Sequence, residues 1–262
     1  MSFLLSGLYP WYSCRLRRGR DETGTIPPVT PQPGTFSPTA SFEDHFNSPI
    51  DDSVWQVAGW VEHGQTSPER CYAENGVLNM IFINDPDVYQ STGHYLSAAI
   101  QTRQSFLYGR WEARLKPSSV PGVLNTMYTI DWGGGSGTKQ EIDIEFLTYT
   151  FGDDAGRVHF AVHAEGLASF NTNPDIELDF NPSDDFHVWG FEITPDRIRW
   201  FVDDRTLLTY QYRDHPIAIT APYQLKFNVW SQEHWIQGPP APNTPSLYQI
   251  DWIRFYPYIG NE

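Results

Sequence analysis

The sequence predicts an all-β protein: a sandwich of two curved antiparallel sheets of jelly-roll type, with a concave cleft. Three observations lead there. Ten stretches alternate apolar and polar residues, or carry a short apolar run, at strand length. Turn-forming residues separate them. No ten-residue segment carries a helical stripe, and no internal repeat is present. Ten strands in the ~220 residues after the N-terminal segment match a two-sheet sandwich.

In chain order the strands are "GVLNMIFI" (76–83), "HYLSAAIQTR" (94–103), "YGRWEARLKP" (108–117), "VLNTMYTIDW" (123–132) and "EIDIEFLTY" (141–149). The second half supplies "RVHFAVHA" (157–164), "HVWGFEIT" (187–194), "RIRWFVDD" (197–204), "YQLKFNVW" (223–230) and "YQIDWIRFYP" (248–257). Asn75-Gly76, the glycines 133–135, Gly152-Asp153 and Pro239-Pro240 punctuate them. Asp203-Asp204 reads as the turn of a hairpin, because aspartate tolerates the left-handed backbone such turns require. Before these strands, residues 25–40 ("TIPPVTPQPGTFSPTA") are dominated by Pro and Thr and read as a stiff linker. The expected division is a tail and linker over 1–40 and one folded domain over 41–262.

Composition narrows the function. Hydrophobic residues make up 40% and charged residues 19% of the 262, so a packed core is expected rather than disorder. The formal net charge of -15 excludes a nucleic-acid backbone as the natural partner and disfavours polyanionic substrates. Aromatics reach 15%, with 10 Trp, which fits either a sandwich core or rings that stack on a flat ligand. No apolar run approaches the ~18 residues of a membrane span. The opening "MSFLLSGLYPWYSCRLRRGR" is apolar and then basic, the reverse of a secretory signal; a signal remnant, a wrong start codon and a tail all stay open. Cys14 and Cys71 set no framework, and the place of Cys14 in the expected tail argues against a bridge between them.

The stretch "KQEIDIEFLT" carries the chemistry. In a strand, Glu141, Asp143 and Glu145 share one face, while Ile142, Ile144 and Phe146 share the other. The apolar face secures the strand between the sheets, and the acids stand on the other side. Adjacent carboxylates repel and raise one another's proton affinity. Glu141 and Glu145 have Cα atoms roughly 13 Å apart at about 3.3 Å per residue, so side chains leaning inward can approach the ~5–5.5 Å separation of a retaining glycosidase pair. Asp143 between them can hold the proton of one. The plain alternative is a solvated acidic strand on an acidic protein. Asp and Glu are poor strand formers, so three in alternation are unusual there.

"EIDIEF" resembles the signature of glycoside hydrolase family 16, the β-jelly-roll enzymes that cut β-glucans and related polysaccharides. Four further segments resemble the family in the same order: "AAIQTRQSFLYGRWEARLKP", "DDFHVWGFEITPDRIRWFVDD", "KFNVWSQEHWIQG" and "YQIDWIRFYP". Together they cover about 42–258. The resemblance implies Glu141 as nucleophile, Glu145 as general acid/base and Asp143 as assisting carboxylate in a double displacement with retention, which needs no cofactor. The regular Glu-x-Asp-x-Glu strand is similar to that of lichenases, which cut mixed-linkage β-1,3-1,4-glucan, and of xyloglucan-active enzymes. An inserted residue, a bulge, marks laminarinases, agarases and carrageenases. The chain departs from lichenases at Ser97-Ala98-Ala99, which leaves Cys71 without the family's partner cysteine, and at Ile130, Ala161 and His163.

The same resemblance suggests the remainder of a cleft. Trp230 and Trp235 are candidates for stacking on sugar faces, against the plain reading of core tryptophans. Asn228 shares a face with Trp230 and points to the nucleophile. Trp132 and Tyr128 are further candidates, as is Arg103, which alternatively pairs with an acid of the ladder. His159 and His163 lie four apart on one strand; without a third ligand they are weak evidence for a metal, and His163 is expected to bond sugar or Asp143. Asp251 matches a family aspartate that binds a structural calcium; its plain reading is a salt bridge or a turn cap. The expected protein is a secreted or periplasmic monomer acting on a polysaccharide. Hydrolysis, transglycosylation on the same site and a non-catalytic sugar-binding module are the three readings, and the paired acids argue against the last.

Overall fold

A computed structural model of the chain describes residues 35–59, 61, 64–134 and 137–260. Cys14 and nearly all of the predicted tail and linker lie outside them. The described part of the linker runs along the domain edge: Ser37 N donates to the Pro257 carbonyl and Ile259 N to that of Thr35.

Among the described residues, seventeen strands form in chain order. They are β1 (Phe42–Asp44), β2 (Trp55–Val57), β3 (Gln65–Thr66), β4 (Cys71–Glu74), β5 (Val77–Phe82), β6 (Leu96–Thr102), β7 (Gly109–Lys116), β8 (Leu124–Trp132) and β9 (Lys139–Leu147). Then come β10 (Gly156–Ala164), β11 (Phe170–Asn171), β12 (Ile176–Leu178), β13 (His187–Ile193), β14 (Arg197–Val202), β15 (Arg205–Gln211), β16 (Gln224–Trp230) and β17 (Ser246–Pro257). One sheet runs β15-β14-β13-β7-β17-β5-β4, with β1 on β17. The other runs β11-β10-β9-β8-β16-β6-β2, with β12 on β10 and β3 on β6. All pairings are antiparallel except β3 with β6. The fold is the expected two-sheet sandwich. All ten predicted strands form; among the described residues the expectation missed short outer strands, three single 3-10 turns and one short helix, α1 (Pro86–Thr92), which Asp85 caps.

Alternation built the core. From β9, Ile142, Ile144 and Phe146 are fully buried between the sheets; β10 adds Val158, Phe160 and Val162, and the facing sheet supplies Trp111, Trp189, Phe191 and Trp200. Trp200 stacks on Phe160 with ring centres 5.2 Å apart, and its Nε1 donates to the Asp143 carbonyl at 3.1 Å. A facing-sheet side chain thus anchors the acidic strand. The hairpin between β14 and β15 turns on Asp203 and Asp204, both with positive φ (45° and 63°), as the sequence predicted. Trp55, Trp111, Trp189 and Trp200 are core, while Trp132, Trp230 and Trp235 line the open face of the second sheet.

Candidate active site

β9 lies inside its sheet between β8 and β10, in register with β8 over Lys139–Leu147 and with β10 from Gln140 to Phe146, without a shift in either. The strand is therefore unbulged. Its second face carries Glu141, Asp143 and Glu145 into the cleft. Opposite them β8 places Ile130, Tyr128 and Thr126, and β10 places His163, Ala161 and His159. Beyond β8, β16 sets Asn228 beside Thr126, and Trp230 follows two residues on. The cavity over the three acids is also lined by Trp132, Lys139, His163, Glu165 and Trp230.

The acids are not equivalent. Lys139 Nζ pairs with Glu141 Oε2 at 2.5 Å. Asp143 is buried, and its burial, reinforced by Glu141 and Glu145, holds its proton well above the usual carboxylate range, with Lys139 opposing. Glu145 is pushed up to about 8, by burial first and then by the charges of Glu141 and Asp175. His163 Nε2 lies 3.5 Å from Asp143 Oδ2, and its Nδ1 lies 2.7 Å from Ser169 Oγ. Burial lowers the proton affinity of His163, helped by Lys139 and His159 and opposed by Glu141. A carboxyl that keeps its proton past neutrality stands four residues along the strand from one that is salt-bridged to an ammonium, an arrangement that can serve as the proton donor and nucleophile of glycoside chemistry.

The structure gathers most of the sequence candidates here. Asn228 Oδ1 accepts from Thr126 Oγ1 at 2.5 Å, and its Nδ2 lies 3.4 Å from the Tyr128 hydroxyl. Trp230 and Trp235 are half-buried with ring centres 6.0 Å apart, packed beside Leu124, Leu147 and Ile236, so each has an open and a packed face. Trp132 is 64% exposed at the rim, with Lys139 Nζ 5.4 Å above its ring. The loop that carries Trp235 is anchored by Ser231 Oγ donating to the Gly122 carbonyl and by Asn84 Nδ2 donating to that of Pro240.

Two candidates fall elsewhere. Arg103 follows the last residue of β6, and its Nε donates to the Asp52 carbonyl, so it tethers an edge turn and meets none of the acids. Asp251 sits where β17 shifts register against β7, and its Oδ2 pairs with Arg114 Nη1 at 2.5 Å. Asp251 thus makes the ion pair of its plain reading. No group of three or more His, Cys, Asp or Glu side chains able to hold a metal occurs among the described residues. Cys71 is a free, buried thiol, its proton affinity pushed up to about 12 by burial.

Sequence reasoning missed Asp175, Asn171, Lys139 and Lys226. Asp175 and Asn171 reach the cleft because β11 and β12 fold back onto β10, a long-range pairing that periodicity does not reveal. Lys139 had a local signal, since the β-hairpin register sets it opposite Trp132. Lys226 is buried on the cleft side of β16, 5.4 Å from the Tyr128 ring centre and 5.6 Å from that of Trp132.

A concave sheet with acids at its centre and tryptophans at its margins, in a jelly-roll sandwich, defines a glycoside hydrolase. The chain belongs to the glycosyl hydrolases family 16, whose sequence pattern matches residues 67–254. A β-glucanase of Acetivibrio thermocellus is 28% identical over 218 residues, covering 80% of this chain and 61% of that protein. The chain thus spans about three fifths of that relative's length. Among solved structures, a prokaryotic β-1,3-1,4-glucanase (lichenase) derived from a mouse hindgut metagenome is similar at 25% identity with a TM-score of 0.65, covering 82% of this chain and 97% of that one. The laminarinase catalytic domain of Thermotoga maritima MSB8 shares the fold at 21% identity with a TM-score of 0.70, covering 85% of this chain and 98% of that one.

Proposed function

We propose that the protein is a retaining endo-β-glucanase, with mixed-linkage β-1,3-1,4-glucan as the favoured substrate. One observation carries this: the unbulged β9 presents Glu141, Asp143 and Glu145 in alternation, with Glu145 holding its proton to about pH 8. The regular strand resembles that of lichenases, and the similarity to a solved lichenase and to a β-glucanase points the same way.

In the first step a Glu141 oxygen attacks the anomeric carbon while Glu145 delivers its proton to the departing glycosidic oxygen. The C–O bond breaks and a glycosyl ester forms on Glu141. In the second step the Glu145 carboxylate takes a proton from water, whose oxygen displaces Glu141. Asp143 stays between the two, and no cofactor enters. Trp230, Trp235 and Trp132 offer rings to sugar faces, and Asn228 and His163 offer polar atoms to hydroxyls. All of these groups come from one chain, so a monomer suffices, and a substrate too large to enter a cell implies secretion. We read 41–262 as the catalytic domain and 1–40 as the tail and linker before it.

The test is release of reducing ends from barley β-glucan, lichenan, laminarin, xyloglucan, agarose and carrageenan. Activity greatest on the first two supports the proposal; activity confined to laminarin or a galactan overturns the substrate. Glu141→Gln should lower kcat by on the order of 10⁴ while sugar binding persists. Retained hydrolysis would contradict the nucleophile.

A further inference from the structure

Glu145 borders three cavities, and the smallest, of about 100 Å³, is also lined by Glu141, Asp143 and Asn228. Glu145 shares a second, of about 660 Å³, with Glu141 and Asp143. The third, of about 670 Å³, contains neither of them and is lined by Glu145, His159, Asn171, Asp175 and Trp235 among others. A general acid protonates the oxygen that joins the sugar under attack to the sugar that leaves. The attacked sugar must lie over Glu141. The cavity that Glu145 borders without Glu141 is therefore on the leaving side.

His159 forms the wall of that cavity beside Glu145, its cross-strand neighbour on β10. Directly opposed residues on one sheet face have Cβ atoms about 4.5–5.5 Å apart, so the two side chains are in reach of each other. The imidazole is gripped from several segments. Nδ1 lies 2.7 Å from Asp175 Oδ1, Nε2 lies 3.3 Å from Asn171 Oδ1, and Trp235 meets the ring edge-on at 5.7 Å. Thr172 secures the strip between these partners by accepting from Phe160 N at 3.0 Å. A histidine that merely satisfied the core would need one partner and would not be placed at a cavity wall.

We propose that the His159–Asp175 pair is a positioning device for Glu145, fixing its neighbour and holding a negative charge beside it, and that the cavity it lines receives the departing sugar and later the incoming acceptor. The proposal rests on Glu145 being the general acid. The groups that face Glu145 are Glu141 and Asp143 on its own strand, with Lys139 at the strand start, and Arg157, His159 and His163 on β10. Asp175 faces it from the chain before β12. Thr126 and Tyr128 on β8, Asn228 on β16 and the Trp235 loop, which also bears Glu233 and His234, complete the surroundings. The charge of Asp175 can be removed without touching the acid ladder. Its loss lets Glu145 give up its proton at lower pH, in line with its place among the causes of the raised affinity of Glu145.

The experiment compares the full chain with Asp175→Asn, Asp175→Glu and His159→Gln on two substrates: mixed-linkage β-glucan, and an aryl β-oligoglucoside whose dinitrophenolate leaves without a proton. Asp175→Asn should move the basic limb of kcat/KM on β-glucan to lower pH and cut activity at pH 8 about tenfold, while the burst of dinitrophenolate changes less than about twofold. Asp175→Glu should restore the limb, and His159→Gln should raise KM for β-glucan as well as lowering kcat. An unmoved limb, or equal losses on both substrates, overturns the proposal in favour of a structural role. Glu145→Ala distinguishes the premise: it should lose β-glucan hydrolysis and keep the dinitrophenolate burst. If it kept β-glucan hydrolysis, the general-acid assignment itself would fail, whatever the His159 and Asp175 variants do.

Discussion

His163 Nε2 stands 3.5 Å from Asp143 Oδ2, a buried oxygen that receives no hydrogen bond at normal length. Burial raises the proton affinity of Asp143 and lowers that of His163, so it pushes both groups toward their neutral forms. A carboxyl that keeps its proton in the middle of the ladder adds no negative charge beside Glu141 and offers an O–H that a neighbouring carboxylate can accept.

That relationship predicts a difference between two substitutions. Asp143→Asn has the shape of the protonated acid and should keep kcat/KM on β-glucan within about tenfold. Asp143→Ala empties a packed site and should lose about a hundredfold or more, the usual scale for removing a group that orients catalytic carboxyls. If the asparagine variant is as impaired as the alanine one, Asp143 works as a carboxylate.

Stability should depend on pH through Glu145. Its ordinary value is 4.5, and the folded value is about 8. Below the first, both folded and unfolded chains hold the proton; between the two, only the folded chain does. The stabilisation is therefore fully present at acid pH and is lost as pH rises toward 8. Glu145→Gln lacks this term. Its stability relative to the parent should grow from pH 5 to pH 8 by up to a few kcal/mol and level off above. Urea unfolding at both pH values measures it, and a constant difference would contradict the buried, protonated state.

The ladder was legible because a strand has period two: once Ile142, Ile144 and Phe146 face the core, Glu141, Asp143 and Glu145 must share the cleft. Asn228 and Trp230 were legible for the same reason, two apart on β16. Arg103 was misplaced because parity gives the face but not how far along the strand a residue stands, and it lies at the sheet's edge. The ion pair of Asp251 was not legible, because the resemblance could not show that Arg114 on the neighbouring strand holds its carboxylate. Asp175 was invisible: its approach to His159 depends on chain reversal through β11 and β12, where the sequence has no strong alternation.

Trp132 offers a test of the stacking surface. It is 64% exposed, so its ring contributes little to the core and much to any ligand laid across the rim. Trp132→Ala should raise KM for β-glucan roughly fivefold, about 1 kcal/mol, with kcat nearly unchanged and the melting temperature within about 2 °C. Affinity electrophoresis in β-glucan gels reports the same loss without turnover. Equal mobility of variant and parent would place the substrate path elsewhere.

The Trp235 loop offers a test of geometry at a distance from the acids. A Cβ built on Gly238 would lie 2.0 Å from Ser231 Oγ and 2.4 Å from the Gly122 carbonyl oxygen, the two atoms whose hydrogen bond closes the loop. Backbone cannot yield at such distances, so Gly238→Ala must push the loop outward and carry Trp235 with it. The core lies on the other side of the sheet and is untouched. The expected outcome is a several-fold higher KM and a lower kcat on β-glucan, since Trp235 packs against His159 beside Glu145. The far-ultraviolet circular dichroism should match the parent. Ser231→Gly in the same chain removes one of the two clashing groups and should recover part of the loss. If Gly238→Ala leaves KM unchanged, the loop does not shape the binding surface.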